Sequence, residues 1–323
     1  MTETTYLKAI SATLLDAMHE DERVFVIGED VAEGGPYGAT AGLAEEFGAE
    51  RVLNTPISEG AICGVAIGAA QSGLRPVVEV MFIDFITLAL DQIVNGAAKA
   101  HLMSGGQLSV PLVLRTQGGA GQRGAAQHSQ SLESWLTHVP GLKVVMPSRA
   151  VDAAGLLRSA IADPNPVVFI ENKALYFKRQ DLPDDPQPVP IGVASTLRKG
   201  RDVTIVALSR LVGDALEAAD RLAEEGIEAE VIDPRTLVPL DTETLIASAK
   251  KTGRAIVVDE GHRGYGVTGE IASVIAEGAF YHLDAPVRRA GAMDVPVPFS
   301  PVLEDQTVPT GESVYELAKE LIR

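Results

Sequence analysis

Short, uninterrupted apolar runs alternate with stretches of helical periodicity along nearly the whole chain, and this rhythm constrains the fold more tightly than any single motif. Residues 24–27, 77–81, 112–114, 144–146 and 167–170 read as buried strands. Leu7, Ile10, Leu14 and Met18 fall at helical spacing, and helices are predicted over 61–71, 85–101 and 151–161. A strand that is apolar on both faces has to be covered on both. Such strands, divided by helices, predict a parallel sheet with helices on either side.

The rhythm breaks at 180–190, where Asp181-Leu-Pro-Asp-Asp-Pro-Gln-Pro-Val-Pro is acidic, proline-rich and hostile to helix and central strand alike. It resumes with strands at 203–208, 229–232 and 255–258, helices at 211–225, 242–251 and 267–277, and a closing helix from Ser313. At 323 residues the chain exceeds the roughly 250–300 at which one core stops growing. The expected architecture is two doubly wound α/β domains, 1–180 and 191–323, joined by a linker at 181–190.

With 27 basic against 44 acidic side chains, the formal net charge is -17. Nucleic acids and anionic membrane surfaces repel such a chain; a basic protein partner suits it, as does a merely solvated acidic surface. Cys63 is the only cysteine, which excludes an internal disulfide and a cysteine-built zinc site. The start has no signal-peptide character and no apolar run is long enough for a membrane span. A cytoplasmic, reducing setting is expected.

Two stretches fit the dinucleotide pattern G-x-G-x-x-G: Gly119, Gly121, Gly124, and Gly264, Gly266, Gly269. The first runs into Gln127-His-Ser-Gln rather than a helix, and no acidic residue follows at the ribose distance. The second follows a strand and precedes a helix, but with extra residues between strand and glycines. Both read as glycine-rich loops. The six histidines lack metal-ligand spacing.

The most informative stretch is Asn54-Thr-Pro-Ile-Ser-Glu59-Gly-Ala-Ile-Cys-Gly64. Pro56 discourages helix before it and Ala61 onward is helical, so Glu59 falls at a loop-to-helix junction among Ile57, Ile62 and Val65. An ordinary first-turn glutamate held by the helix dipole is one reading. The other is a carboxyl whose proton affinity is raised by desolvation, able to share a proton with a heterocycle nitrogen. Gly60, Gly64 and Gly68 line one face of that helix and permit close packing.

Thr55-Pro-Ile-Ser-Glu, Phe82-Ile-Asp-Phe-Ile-Thr-Leu-Ala-Leu-Asp91, Ala126-Gln-His128-Ser-Gln-Ser and Pro140-Gly-Leu-Lys-Val-Val, in this order, resemble the beta subunit of the thiamine-diphosphate-dependent first component of 2-oxoacid dehydrogenase complexes. Asp233-Pro-Arg-Thr-Leu-Val-Pro-Leu-Asp and Pro298-Phe-Ser-Pro-Val-Leu-Glu-Asp extend the likeness through the second domain. The resemblance implies an N-terminal pyrimidine-binding fold and a transketolase-C-like second domain. It also implies that a separate alpha subunit holds the diphosphate and Mg2+, and this sequence has neither Gly-Asp-Gly nor the Asn-Asn pair of that metal-binding segment. The implied assembly is a heterotetramer of two alpha and two beta subunits, docked on a lipoyl acyltransferase core.

By resemblance, Glu59 meets the pyrimidine nitrogen, Phe85 and Ile57 wall the cofactor, and His128 serves in acyl transfer to the lipoyl arm, with Arg123 and Gln127 near the entrance. An imidazole suits that role because its charge changes near neutral pH. The resemblance also implies a potassium ion held mainly by backbone carbonyls of Leu112, Ala160, Ile161, Asp163 and Asn165, and the tight Asp163-Pro-Asn-Pro turn offers hard oxygens. Phenylalanine rather than tyrosine at position 85 leans away from the branched-chain subfamily. The expected activity is oxidative decarboxylation of a pyruvate-type 2-oxoacid, or cleavage of acetoin. Half of a split transketolase and a non-catalytic docking subunit are the rival readings.

Overall fold

The computed structural model describes residues 2–322. The chain divides into two compact units, Met1–Gly118 with Trp135–Ile191, and Gly119–Ser134 with Gly192–Arg323. In the first unit six parallel strands lie in the order Lys143–Val145, Val167–Asn172, Val113–Gly118, Arg75–Val80, Val24–Gly28, Val52–Asn54. Val24–Gly28, Val113–Gly118 and Val167–Asn172 are buried along their whole length, as strands covered on both faces must be. The helices Tyr6–Glu20 and Ala150–Ala162 cover one face, with Ile10, Leu14 and Met18 in one cluster with Leu156, Leu157 and Ile161.

From Val24–Gly28 the chain steps outward to Val52–Asn54, then returns through the helix Glu59–Gln71 to Arg75–Val80 on the other side. That reversal is a topological switch point. In open parallel sheets it leaves a crevice at the carboxyl ends of the flanking strands, where ligands bind.

The helix expected over 85–101 is not one helix. It is a 3-10 stretch Ile83–Ala89, a π-wound stretch Gln92–Ala97 and an α-helical end Ala98–Met103. The segment packs closely on the helix Glu59–Gln71: a Cβ on Gly60 would lie 3.1 Å from Leu88 O, and one on Gly64 would lie 3.3 Å from Gln92 Oε1. Changing the residues per turn re-aims side chains that a regular helix would misplace. Apolar periodicity reports burial, not which carbonyl each N–H finds.

Residues 181–190 hold to the first unit. Arg179–Leu182 pairs antiparallel with Thr2–Thr5, and Pro183 then removes a donor. Val189 N–H donates to Gly155 O at 3.0 Å and Ser159 Oγ donates to Val189 O at 2.7 Å. A five-stranded sheet of the second unit runs in the order Arg288–Ala292, Ala255–His262, Val203–Ala207, Ala229–Asp233, Ser195–Arg198, of which only the last is antiparallel; the short strand Thr236–Val238 lies outside it. Helices Leu211–Glu224 and Gly311–Ile322 bury Leu211, Ala215, Leu222, Val314 and Ala318 against it. Residues 119–134, inside the sequence span of the first sheet, pack with this second unit. Among the described residues no helix is long and apolar enough to cross a membrane.

Candidate active site

Gly28, Asn54 and Val80 end the three strands around the switch point. Their loops leave from tightly packed backbone: Thr55 N–H donates to Gly28 O at 3.0 Å, and a Cβ on Gly28 would meet Glu79 O at 2.7 Å. Glu29, Glu59 and Phe85 follow those strand ends in turn.

Glu59 is the first residue of its helix and is 6 % exposed. The preceding Ser58 does not cap the helix with its side chain; its hydroxyl donates to Pro56 O at 3.3 Å. The Ser58 backbone N–H donates instead to the carboxylate of Glu29. Burial, and second the charge of Glu59, push the Glu29 carboxyl above its ordinary range, while the Ser58 bond opposes the rise. Glu29 Oε1 is buried without a hydrogen-bond partner. One turn into the helix, burial and then the charge of Glu59 push the Cys63 thiol up to about 12, so it is no thiolate nucleophile.

The side chains next to Glu59 in the chain and on the 3-10 stretch packed against its helix are largely apolar. Ile57 is 82 % exposed, and Leu88 is exposed as well. Phe85 is half-buried and stands edge-on to Phe82, with centroids 5.8 Å apart; Phe82 in turn meets Tyr37 at 6.4 Å. Glu59 and Phe85 thus lie on two elements that pack through Gly60, and Ile57 lies in the loop that leads into the first of them. Sequence reasoning missed Glu29. Its signal was available: an acidic residue directly after an apolar strand, at the carboxyl end where a parallel sheet presents its ligand groups.

His128 lies in the segment that belongs to the second unit and is half-buried. That segment is wound by left-handed residues, Gly119 (φ +88), Gly121 (φ +98), Arg123 (φ 59) and Ala125 (φ 57). A Cβ on Gly124 would come within 2.8 Å of His128 O and 2.9 Å of Ser129 Oγ. These glycines therefore fold the turn onto His128. In the second glycine set, a Cβ on Gly266 would lie 2.2 Å from His262 O, again a packing role. Arg123, expected near an entrance, forms ion pairs with Glu304 and Asp305, and Gln127 is exposed.

At the far end of the segment, Glu133 and Asp259 are each 1 % exposed and both lie over Gly261, whose Cβ would meet Glu133 Oε1 at 2.4 Å and Asp259 Oδ2 at 2.7 Å. Burial, then the charge of Asp259 and the bond to it, push Glu133 well above its ordinary range, with Glu260 adding to the rise. Burial pushes Asp259 up too, opposed by the bond from Glu133. The two carboxyls therefore share a proton, the rise being the larger at Glu133. The folded chain holds a proton that the unfolded chain releases above the ordinary glutamate range, so stability falls as pH rises from there toward the folded value. One proton sets a slope of at most about 1.4 kcal/mol per pH unit. In Glu133→Gln the amide replaces the donor and has no proton to lose. Urea unfolding from pH 5.5 to 8.5 should show a flatter decline for this variant than for the natural chain; parallel declines would refute the shared proton.

Among the described residues no group of three or more His, Cys, Asp or Glu is placed to hold a metal ion. Of the backbone set expected for potassium, three carbonyls already accept a hydrogen bond within the chain. Leu112 O accepts from Val167 N–H at 2.9 Å, Ala160 O from Asp163 N–H at 3.3 Å, and Ile161 O from Arg75 Nη1 at 2.6 Å. Asp163 pairs with Lys143 and accepts from Asn165 N–H at 2.9 Å. Each of these carbonyl oxygens keeps a second lone pair.

Residues 2–178 match the family model described as "Transketolase, pyrimidine binding domain", and residues 192–314 match "Transketolase, C-terminal domain". The beta subunit of acetoin:2,6-dichlorophenolindophenol oxidoreductase from Bacillus subtilis is 47% identical over 327 residues, 97% of this chain and 96% of that one. The beta subunit of the pyruvate dehydrogenase E1 component from Rickettsia felis is 48% identical over 318 residues, 98% of each. Among solved structures, a split gene transketolase described as an inactive beta4 tetramer matches at TM-score 0.78 and 25% identity over 98% of each chain. Transketolase from Leishmania mexicana, at TM-score 0.72 and 17% identity over 100% of this chain and 46% of that one, shares the fold. The chain belongs to the family of two-domain, transketolase-like beta subunits that includes those of pyruvate and acetoin dehydrogenases.

Proposed function

We propose that this chain is the beta subunit of a thiamine-diphosphate-dependent 2-oxoacid or acetoin dehydrogenase, supplying the pyrimidine half of an active site that an alpha subunit completes. The observation that carries the reading is the buried carboxyl pair at the switch point: Glu59 at 6 % exposure, beside Glu29 with an unpartnered oxygen. Such a pair offers acceptors to an aminopyrimidine and suits no apolar ligand. Bound thiamine diphosphate supplies the electron sink for the substrate carbon skeleton.

The chain's own residues do the rest. Glu59 would hold the pyrimidine ring through a hydrogen bond to a ring nitrogen, and a dry setting would strengthen that bond. Phe85 and Ile57 wall the ring and exclude water. His128 orients, or gives a proton to, the acceptor of the acyl group. The diphosphate and its Mg2+ fall to the alpha subunit, in a heterotetramer carried on a lipoyl acyltransferase core. A potassium ion at Leu112, Ala160, Ile161, Asp163 and Asn165 would share the Ile161 carbonyl with Arg75 and lie near the Lys143–Asp163 ion pair.

Mixing the chain with its alpha subunit, thiamine diphosphate and Mg2+ tests the reading, following reduction of an artificial electron acceptor with pyruvate, branched 2-oxoacids and acetoin. Activity should need both chains and favour pyruvate or acetoin. No turnover from a well-formed heterotetramer would overturn the proposal and return the split transketolase to consideration.

A further inference from the structure

We infer that Glu304 is a positioning residue for His128, fixing the turn that presents the imidazole without touching substrate. The inference rests on the reading of His128 as a reacting group. Glu304 is fully buried, and both its oxygens serve the segment that carries His128. Oε1 accepts from Gly121 N–H at 2.7 Å and Oε2 accepts from Arg123 Nη1 at 2.7 Å. Asp305 adds a second acceptor for the same guanidinium at 2.7 Å, and Pro301 O a third at 3.3 Å.

The segment needs such a tether. Between Gly118 and Glu133 it contains no helix or strand, and Arg123 and Ala125 carry a Cβ in the left-handed region. Residues with a side chain hold that conformation only where their surroundings impose it. From Arg123 the constraint passes directly to the histidine: Gly124 packs on His128 O and Cβ, and Ala125 O accepts from His128 N–H at 3.4 Å. The tether itself is anchored. Glu304 N–H donates to Ser300 O at 2.8 Å, Thr307 Oγ1 donates to Glu304 O at 2.8 Å, and Met293 N–H donates to Thr307 O at 2.8 Å. Charge-assisted bonds to a buried carboxylate are the strongest available links of this kind.

Glu304→Gln preserves the shape and the acceptor for Gly121 but removes the ion pair with Arg123. In the assembled enzyme it should slow acyl transfer to a lipoyl acceptor about tenfold, the size of one lost charge-assisted bond. Reduction of an artificial electron acceptor, which bypasses that transfer, should stay within about twofold, as should KM for the oxoacid. In a His128→Ala background the same change should cost nothing further. Equal loss in both assays, or losses that add, would overturn the inference in favour of a purely structural glutamate. Slow transfer in His128→Ala with normal transfer in Glu304→Gln would sink the inference alone. Normal transfer in His128→Ala would remove the reading of His128 and the inference with it. Should Glu304→Gln fail to assemble, Arg123→Gln breaks the same pair from its more exposed end and must show the same split.

Discussion

Replacing Glu59 with glutamine should lower turnover of the assembled enzyme by about a hundredfold to ten-thousandfold, the range a positioned proton-transfer group contributes. The amide fills the same space and can still accept a bond, but it has no proton to share. Stability should hardly change, because the carboxylate lies beside Glu29 and its charge opposes the charging of that buried neighbour. Turnover with an artificial electron acceptor, measured beside thermal unfolding of the heterotetramer, separates the two effects. A Glu59→Gln enzyme that assembles and turns over normally would make this chain a docking subunit. A variant that melts well below the natural protein would make Glu59 structural.

The largest stability effect should come from Arg115. Its guanidinium is fully buried between Glu79, at 2.6 Å, and Glu171, at 2.7 and 3.0 Å. Tyr176 donates its hydroxyl to Glu171 at 2.5 Å. Burial pushes Glu79 up, and the guanidinium opposes this by favouring the charged form. Arg115→Met leaves two carboxyls buried with no cation, and breaking a buried pair this way costs about 3–5 kcal/mol. Protonation of Glu79 relieves part of that cost, so the loss should be larger at pH 8 than at pH 5.5. Urea unfolding at the two pH values measures it. A loss below about 1 kcal/mol at pH 8 would show that the cluster contributes little beyond its packing.

How much of this was legible in the sequence depended on which force placed each residue. The strands at 24–28 and 167–172 announced themselves because a doubly covered strand carries mostly apolar residues, whereas of Val113–Gly118 only the apolar start was legible, since Arg115, Thr116 and Gln117 follow it. Ser195–Arg198 and Arg288–Ala292 did not, since edge strands are half-exposed and need no such run. Glu59, Phe85 and His128 were found through the likeness of whole motifs; from its local pattern alone Glu59 was equally a first-turn glutamate. Glu29 and the Arg115 cluster stayed hidden for a physical reason. Charged residues look alike in a sequence whether water or a fixed partner compensates them, and the partners of Arg115 stand on neighbouring strands far along the chain. Glu304 was within a quoted motif, yet its task became visible only once Gly121 and Arg123 lay beside it.

The excursion of residues 119–134 into the second unit has a consequence for synthesis and for dissection. The polypeptide passes from one unit to the other three times, after Gly118, after Ser134 and after Ile191. During translation the stretch bearing His128 leaves the ribosome well before the residues that surround it, and has to wait unsheltered for them. No single cut yields two whole domains. A truncation in the proline-rich stretch gives a C-terminal fragment without its histidine turn and an N-terminal fragment carrying a loop without the residues it packs with.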